Sequence, residues 1–320
     1  MLHILNKNIR IQIILLTLLA IWSGFTVFTQ MTFDTPEGKM LLFQQLLTFA
    51  QGNPMIVRIF AFLIVMVSTF GINRHFNRQR YEEFTTLMPG IFFLLVMNCG
   101  HFIDVFTPAL ISILFLSIVM MVFVPGTPPA KMKGKILSLG ILIAIATLID
   151  FSAFGIVLLL LFIIGTNSVS PVKDSVILLA GLMLPYIYAF SIAYLCNSMP
   201  VFVQSWRQLQ FFTPLKTITG LRIIDYVCIA YMFVAIIIFW IRGRNYFENK
   251  LIILRQAFNS IHLQFISMAI FLTLGSGSLM IVLSYIAPIL SEYMSIAIAK
   301  KRYKYVYDII IVALLVLLWL

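Results

Sequence analysis

The sequence predicts an all-α protein, a polytopic bundle of transmembrane helices. Of its 320 residues, 62% are Ala, Val, Ile, Leu, Met, Phe, Trp, Tyr or Cys, and only 10% are charged. Water cannot solvate this much apolar surface and one globular core cannot bury it, which excludes a soluble domain. The apolar runs are long and continuous, whereas the strands of an outer-membrane barrel alternate in segments of about 10 residues.

A spanning helix needs roughly 20 apolar residues, and the first such stretch follows Lys7 and Arg10. It is long for the apolar region of a signal peptide and lacks a small-x-small cleavage site near its end, so we expect it to remain as the first span. The segments predicted as spans are 11–29, 55–73, 84–101, 105–124, 136–150, 152–166, 175–196, 222–241, 263–277, 279–299 and 305–320. Two neighbouring pairs contain short members that could each be one broken element, which gives about 9 to 11 spans.

The distribution of basic residues predicts the orientation. With a cytoplasmic N-terminus, all but five of the 22 Lys and Arg residues fall on inner connections. The five on the outer side are Lys39, Arg58, Arg207, Lys216 and Arg222. This asymmetry follows the positive-inside rule. The net charge of +11 therefore reflects topology, and we expect no binding to nucleic acid.

No connection is long enough for a soluble domain, so residues 1–320 are predicted to form a single integral membrane domain. The two longest connections, about 30–54 and 197–221, both fall on the outer side. The first carries an approximate helical stripe of apolar residues that includes Phe43, and the second mixes aromatic and basic residues around Trp206. Such patterns are typical of helices in the lipid-headgroup region of a membrane, so we expect an interfacial helix in each loop.

Cysteines and motifs exclude several classes of enzyme. Cys99, Cys196 and Cys228 are far apart in apolar surroundings, without metal-ligand spacing, and we interpret them as membrane-buried thiols. The sequence contains no Walker, Rossmann, HExxH or nucleophile-elbow motif. We therefore predict no metal site and no soluble-cofactor chemistry, and the pattern identifies no cofactor.

Ionisable residues at the outer ends of the predicted spans are the candidates for chemistry. Such groups are costly at membrane depth and usually face a cavity or a partner, which predicts a polar outer pocket. Asp34 and Glu37 offer two carboxylates that could act as a catalytic base. The candidate substrate-binding residues are His101, Asp104, Asp150, Arg207, Lys216, Arg222 and Asp225.

The acidic and histidine candidates also have structural interpretations. Asp34, which precedes Pro36, could be the N-cap of the amphipathic outer helix. Asn98, His101 and Asp104 would share one face if a helix continued through Gly100. The alternative is a polar turn between two spans, with His101 as a cap.

The basic candidates have similar alternatives. Arg207 beside Trp206 could hold a phosphate or carboxylate in a bidentate contact, or it could be an interfacial anchor. Arg222 and Asp225 have the spacing of a local ion pair on one helix.

The acidic candidate Asp150 is the last residue of a predicted span, in the sequence TLIDFSAFG.

Residues 55–200 carry INRHFNRQR, GILIAIATLIDFSAFG and VILLAGLMLPYIYAF between apolar spans. This succession resembles an uncharacterised family of multi-spanning inner-membrane proteins from Bacteroidetes-type bacteria. The resemblance implies a location in the bacterial inner membrane, and that family has no assigned activity to transfer.

The N-terminal layout is also similar to that of GT-C glycosyltransferases, which take sugars from polyprenyl-linked donors. Those enzymes place an acidic catalytic residue in the first outer loop after the first span. The resemblance implies that Asp34 holds this position, with Glu37 three residues further on.

Three functions remain open. The first is an inner-membrane protein that acts on lipid-linked glycan or polyprenyl-phosphate substrates at the outer face. In this case it could be a glycosyltransferase similar to the GT-C enzymes. The second is a noncatalytic subunit or scaffold of an envelope complex, and the third is a transporter. The expected partners are membrane lipids, a polyprenyl-phosphate-linked substrate and other membrane proteins.

Overall fold

The computed structural model describes residues 8–33, 40–79, 85–122, 129–167, 170–207 and 284–298, together with 226–227, 229–230, 233–234 and 237. Of the residues it describes, 87% are helical, which confirms the all-α class. The helices are α1 (Ile9–Thr29), α2 (Leu41–Gly52), α3 (Pro54–Gln79), α4 (Met88–Cys99), α5 (Pro108–Val122), α6 (Pro129–Ile149), α7 (Phe154–Asn167), α8 (Pro171–Leu195), α9 (Met199–Arg207) and α10 (Ile286–Ile298). A 3-10 turn at Phe151–Ala153 joins α6 to α7.

Three described helices are long and apolar enough to cross a membrane: Ile9–Thr29, Pro54–Arg78 and Pro171–Leu195. They expose large apolar side chains, among them Ile21, Phe70 and Leu195. An apolar surface of this extent is unfavourable in water, and it suggests association with a membrane.

The shorter helices form the centre of the bundle. Every residue of α4 is buried, and α10 packs along it while also touching α3. Phe92 and Phe93 of α4 and Tyr293 of α10 are among the largest fully buried side chains. The buried core therefore centres on α4 and α10 and extends to α3, α5, α6 and α7.

The described helices begin and end differently from several predicted spans. The segment predicted at 84–101 is helical only from Met88 to Cys99, and residues 85–87 lie outside any helix. Asn77 exchanges two hydrogen bonds of 2.9 Å with the Thr86 backbone, and Leu87 N–H donates to Gln12 Oε1 at 2.7 Å. The side chains of Asn77 and Gln12 thus bind the backbone of residues 86 and 87, which lie before the first turn of α4.

The span predicted at 105–124 begins at Pro108 because the residues before it pair with another strand. β1 (Thr32–Phe33) and β2 (Val105–Phe106) form a two-stranded parallel sheet, which the sequence analysis did not anticipate. Thr107 then caps α5, since its Oγ1 accepts a hydrogen bond from Leu110 N–H at 3.4 Å. Proline at the first helical position suits this start.

Each of the two long predicted loops contains a helix, α2 in the first and α9 in the second, and their position at the membrane interface stays a prediction. Phe43, Leu47 and Ala50 of α2 are buried, and the Phe43 ring stacks on Phe106 with centroids 5.8 Å apart. The apolar stripe thus packs on β2 and its neighbours within the protein. Contacts from α2 to α3, α6 and α9 tie these elements together.

Helices α6 and α8 cross in close contact at Gly140 and Gly181. A Cβ atom built on Gly140 would lie 2.5 Å from the Leu178 carbonyl oxygen, and one built on Gly181 would lie 2.5 Å from the Leu137 oxygen. Only glycine allows the two backbones to approach so closely. Further along, Thr147 Oγ1 and the Tyr186 hydroxyl are hydrogen-bonded at 2.7 Å.

Some sequence predictions lie outside the described residues. These are the spans at 263–277 and 305–320, most of the span at 222–241, and Cys228. Among the cysteines that are described, Cys99 is buried as expected. Cys196 is exposed at the C-terminal cap of α8, so no side chain of the described residues covers it, and its burial in the membrane stays a prediction.

Candidate functional site

One end of the bundle carries the described outer candidates, and we call it the loop end. It comprises β1, β2, α2, the 3-10 turn and α9, together with the C-terminal ends of α1, α4, α6 and α8. Thr32 N–H donates to the Asp104 carbonyl oxygen at 2.8 Å, which joins the first outer connection to the turn after α4. The α2 helix contacts β1, α6 and α9, so these connections form one continuous surface.

Arg58 stabilises this end from within. Its guanidinium donates to the carbonyl oxygens of Phe28 at 2.5 Å and Met31 at 3.3 Å. Carbonyl groups at a helix C-terminus have no partner in the helix and carry partial negative charge, so a cation there is favourable. Arg58 therefore anchors α3 to the end of α1.

His101 and Asp104 lie together in the turn after α4. The His101 N–H donates to Asn98 O, the Phe102 N–H donates to Met97 O, and His101 has a φ of 52°. This is a Schellman motif with His101 at the left-handed position, so the helix ends at Cys99. Of the two arrangements that the sequence left open, the structure has the polar turn, and the helix does not continue through Gly100.

The two side chains of this turn also meet. His101 Nδ1 lies 2.7 Å from Asp104 Oδ2, and the side chains are 43% and 24% exposed. A carboxylate orients a histidine ring and sets which nitrogen carries the proton. The pair is open to solvent and could exchange a proton or contact a polar ligand.

Asp150 is engaged within the protein. It precedes the 3-10 turn, where its Oδ1 accepts from Ser152 N–H at 3.0 Å and its Oδ2 accepts from the Tyr285 hydroxyl at 2.5 Å. The residue is buried, as is Tyr285. Asp150 therefore joins the end of α6 to the start of α10, and its predicted contact with substrate stays a prediction.

Arg207 ends α9 and is exposed. The preceding Trp206 packs edge-on against Phe151, with ring centroids 5.6 Å apart, and also lies 5.9 Å from the Tyr186 ring. These contacts fix the C-terminal end of α9 beside the 3-10 turn. Arg207 is thereby held as a cation on the surface of the loop end, next to the chain that carries Asp150.

The remaining candidates lie outside the described residues: Asp34, Glu37, Lys216, Arg222 and Asp225. Of the four that are described, the structure brings His101 and Asp104 into contact, links Asp150 to Tyr285, and places Arg207 on the surface near Phe151.

Two ionisable residues that the sequence analysis did not select meet inside the bundle. His75 of α3 is 2% exposed, Glu292 of α10 is fully buried, and His75 Nε2 lies 3.8 Å from Glu292 Oε1. Ionisable side chains at such positions in membrane proteins often mark functional sites. A pair of this kind was not expected, because the predicted chemistry lay at the outer ends of the spans.

A signal for Glu292 was present in the sequence. Asp150, Asp225 and Asp308 lie within four residues of an end of a predicted span, whereas Glu292 lies deep inside the span at 279–299. His75 could not be recognised in this way, because the predicted span ended at residue 73 and left His75 outside it. In the structure, α3 continues to Gln79 and includes His75. Its pairing with a residue more than 200 positions away could be found only from the fold.

Within the described part of the chain, no three His, Cys, Asp or Glu side chains are grouped so as to hold a metal ion. Comparison of the chain with family models, curated proteins and solved structures finds no match.

Proposed function

We propose that this chain is a multi-pass protein of the bacterial inner membrane with a cytoplasmic N-terminus and 9 to 11 spans. Support comes from the three long apolar helices, from their exposed apolar side chains and from the asymmetry of the basic residues. The shorter helices α4 and α10 lie inside the bundle, where neighbouring helices and not lipid cover them. In this arrangement the loop end faces the periplasm.

The function at that face is the binding of a lipid-linked phosphate, in particular a polyprenyl phosphate or its glycan conjugate. The observation that carries this proposal is Arg207, an exposed cation held beside an aromatic cluster by Trp206. A guanidinium matches the oxygens of a phosphate in a bidentate contact. Aromatic side chains next to it suit the apolar chain at headgroup depth.

A transfer reaction at this face would need two further groups. A base would deprotonate the acceptor, and positive charge would stabilise the departing phosphate. Asp34 or Glu37 is the proposed base, and Arg207 with Lys216 or Arg222 is the proposed source of charge. The proximity of β1 to the His101–Asp104 turn supports a site here, since Asp34 directly follows β1.

A noncatalytic subunit of an envelope complex is the second candidate. The observation in its favour is that the described acidic residues of the loop end already have protein partners: Asp104 contacts His101, and Asp150 contacts Tyr285. Groups satisfied in this way stabilise the fold and need no ligand.

Native mass spectrometry of the protein extracted gently from its own membrane tests the proposal. We expect a stoichiometric adduct with the mass of a polyprenyl phosphate or a glycolipid, and we expect Arg207→Ala to lose it. The matched control is Lys173→Ala, which removes an exposed cation near the N-terminal end of α8, at the opposite end of the bundle. Retention of a protein partner without any lipid adduct would favour the subunit instead.

A further inference from the structure

The contact between His75 and Glu292 lies apart from the loop end. His75 is close to the C-terminal end of α3, and Glu292 is at the middle of α10, seven positions beyond Tyr285. Both side chains are nearly inaccessible, at 2% and 0% exposure. The two residues therefore form an ionisable site within the helix bundle.

The carboxyl group of Glu292 has little to stabilise a negative charge. Neither of its oxygens has a hydrogen-bond partner within the described residues. The 3.8 Å between Glu292 Oε1 and His75 Nε2 is longer than a hydrogen bond. A buried ion costs several kcal/mol unless close contacts and hydrogen bonds compensate for the lost water. The buried arrangement thus favours an uncharged Glu292 beside an uncharged His75.

The described elements next to this pair contribute few charges. The sequences of α4 and α5 contain no acidic or basic side chain. On α3, Arg74 and Arg78 are the cations nearest to His75 in sequence; both are exposed, and Arg78 Nη1 donates to the Met121 carbonyl oxygen at 3.3 Å. On α10, Tyr293 is the ionisable group next to Glu292.

We propose that His75 and Glu292 form a proton-binding site inside the bundle, with the proton on Glu292 while α10 is packed against α3. Release of the proton to water leaves a carboxylate, which needs solvent or a close cation. Deprotonation therefore requires water to enter between α3 and α10, so that proton occupancy is coupled to the contact between these helices. The proposal goes beyond the binding of lipid phosphate and does not depend on it.

Infrared difference spectroscopy of the full-length protein near neutral pH tests where the proton resides. We expect wild type to show the carbonyl stretch of a protonated carboxyl group, and Glu292→Gln to lose that band. Asp104→Asn is the control, because it removes a partly exposed carboxylate at the loop end and should leave the band in place. Identical spectra from wild type and Glu292→Gln in this region would overturn the proposal.

Thiol labelling tests the coupling to the helix contact. Ser295 of α10 is buried, and Ser295→Cys, with the three native cysteines replaced, reports whether water reaches this helix. At the alkaline pH that removes the carboxyl band, we expect faster labelling in the protein that retains Glu292 than in the same protein carrying Glu292→Gln. The second protein corrects for the intrinsic effect of pH on thiols. Equal labelling rates in the two proteins would show that proton release does not open the contact.

Discussion

Asp150 connects two distant parts of the chain through one side chain. It caps the 3-10 turn after α6 and accepts a hydrogen bond from Tyr285, 135 residues further on. Loss of a hydrogen-bond donor leaves a buried acceptor desolvated and unpaired, which costs more than the hydrogen bond contributes. The position of α10 within the bundle therefore depends on this contact.

Tyr285→Phe should destabilise the protein by about 1–3 kcal/mol, because it removes the hydroxyl donor and leaves Asp150 Oδ2 buried. The measurement is the thermal unfolding midpoint in detergent. Tyr188→Phe is the matched control, since Tyr188 is 67% exposed and its hydroxyl should contribute little. Equal midpoints for the two variants would show that the hydrogen bond does not stabilise α10.

His101 shows what a single sequence reveals about a residue and what it does not. The sequence predicted a polar group at the junction of two spans and left two arrangements open. The choice between them depends on the left-handed backbone at His101, which ends the helix and brings its ring to Asp104. Glycine is the usual residue there, so a histidine at this position gives no warning of the turn.

At the scale of elements, two glycines explain why α6 and α8 pack so closely. Gly140 and Gly181 face one another, and each would place a Cβ against the backbone of the other helix. Dispersion contacts between closely approaching backbones are a principal source of helix association in membranes, where lipid removes the hydrophobic driving force. The Thr147–Tyr186 hydrogen bond adds a polar contact to the same interface.

Gly140→Leu should lower the thermal unfolding midpoint, because α6 and α8 must separate to admit the side chain. Overpacking typically costs about 1–3 kcal/mol, and a clash with backbone leaves little room for relaxation. Gly134→Leu is the matched control on the same helix, since a Cβ built there meets nothing within 4 Å. A midpoint for Gly140→Leu no lower than that of Gly134→Leu would contradict the crossing.

The positions of most described helices follow from hydropathy, and their ends do not. The predicted span at 11–29 agrees closely with α1, and the predicted stripe in the first outer loop is the buried face of α2. The start of α4 is set by Gln12 and Asn77, and the start of α5 by the pairing of β1 with β2. These are contacts between residues far apart in the chain, which no local pattern records.

At the scale of the whole molecule, the sequence divides the chain into a predicted outer side with two long loops and a predicted inner side with most basic residues. The sequence predicted this division from the positive-inside rule alone. The fold adds that α2, α9 and the paired strands form a continuous surface at the loop end. It also adds a buried ionisable pair, because packing brings α10 against α3.

The orientation of the loop end is the central claim of this account, and thiol labelling of intact spheroplasts tests it directly. A variant that keeps exposed Cys196 as its only cysteine reports on the loop end, and Lys173→Cys in a cysteine-free chain reports on the other end of α8. We expect a membrane-impermeant reagent to label Cys196 from outside and to label Lys173→Cys only after permeabilisation. Labelling of both from outside, or the reverse pattern, would contradict a periplasmic loop end.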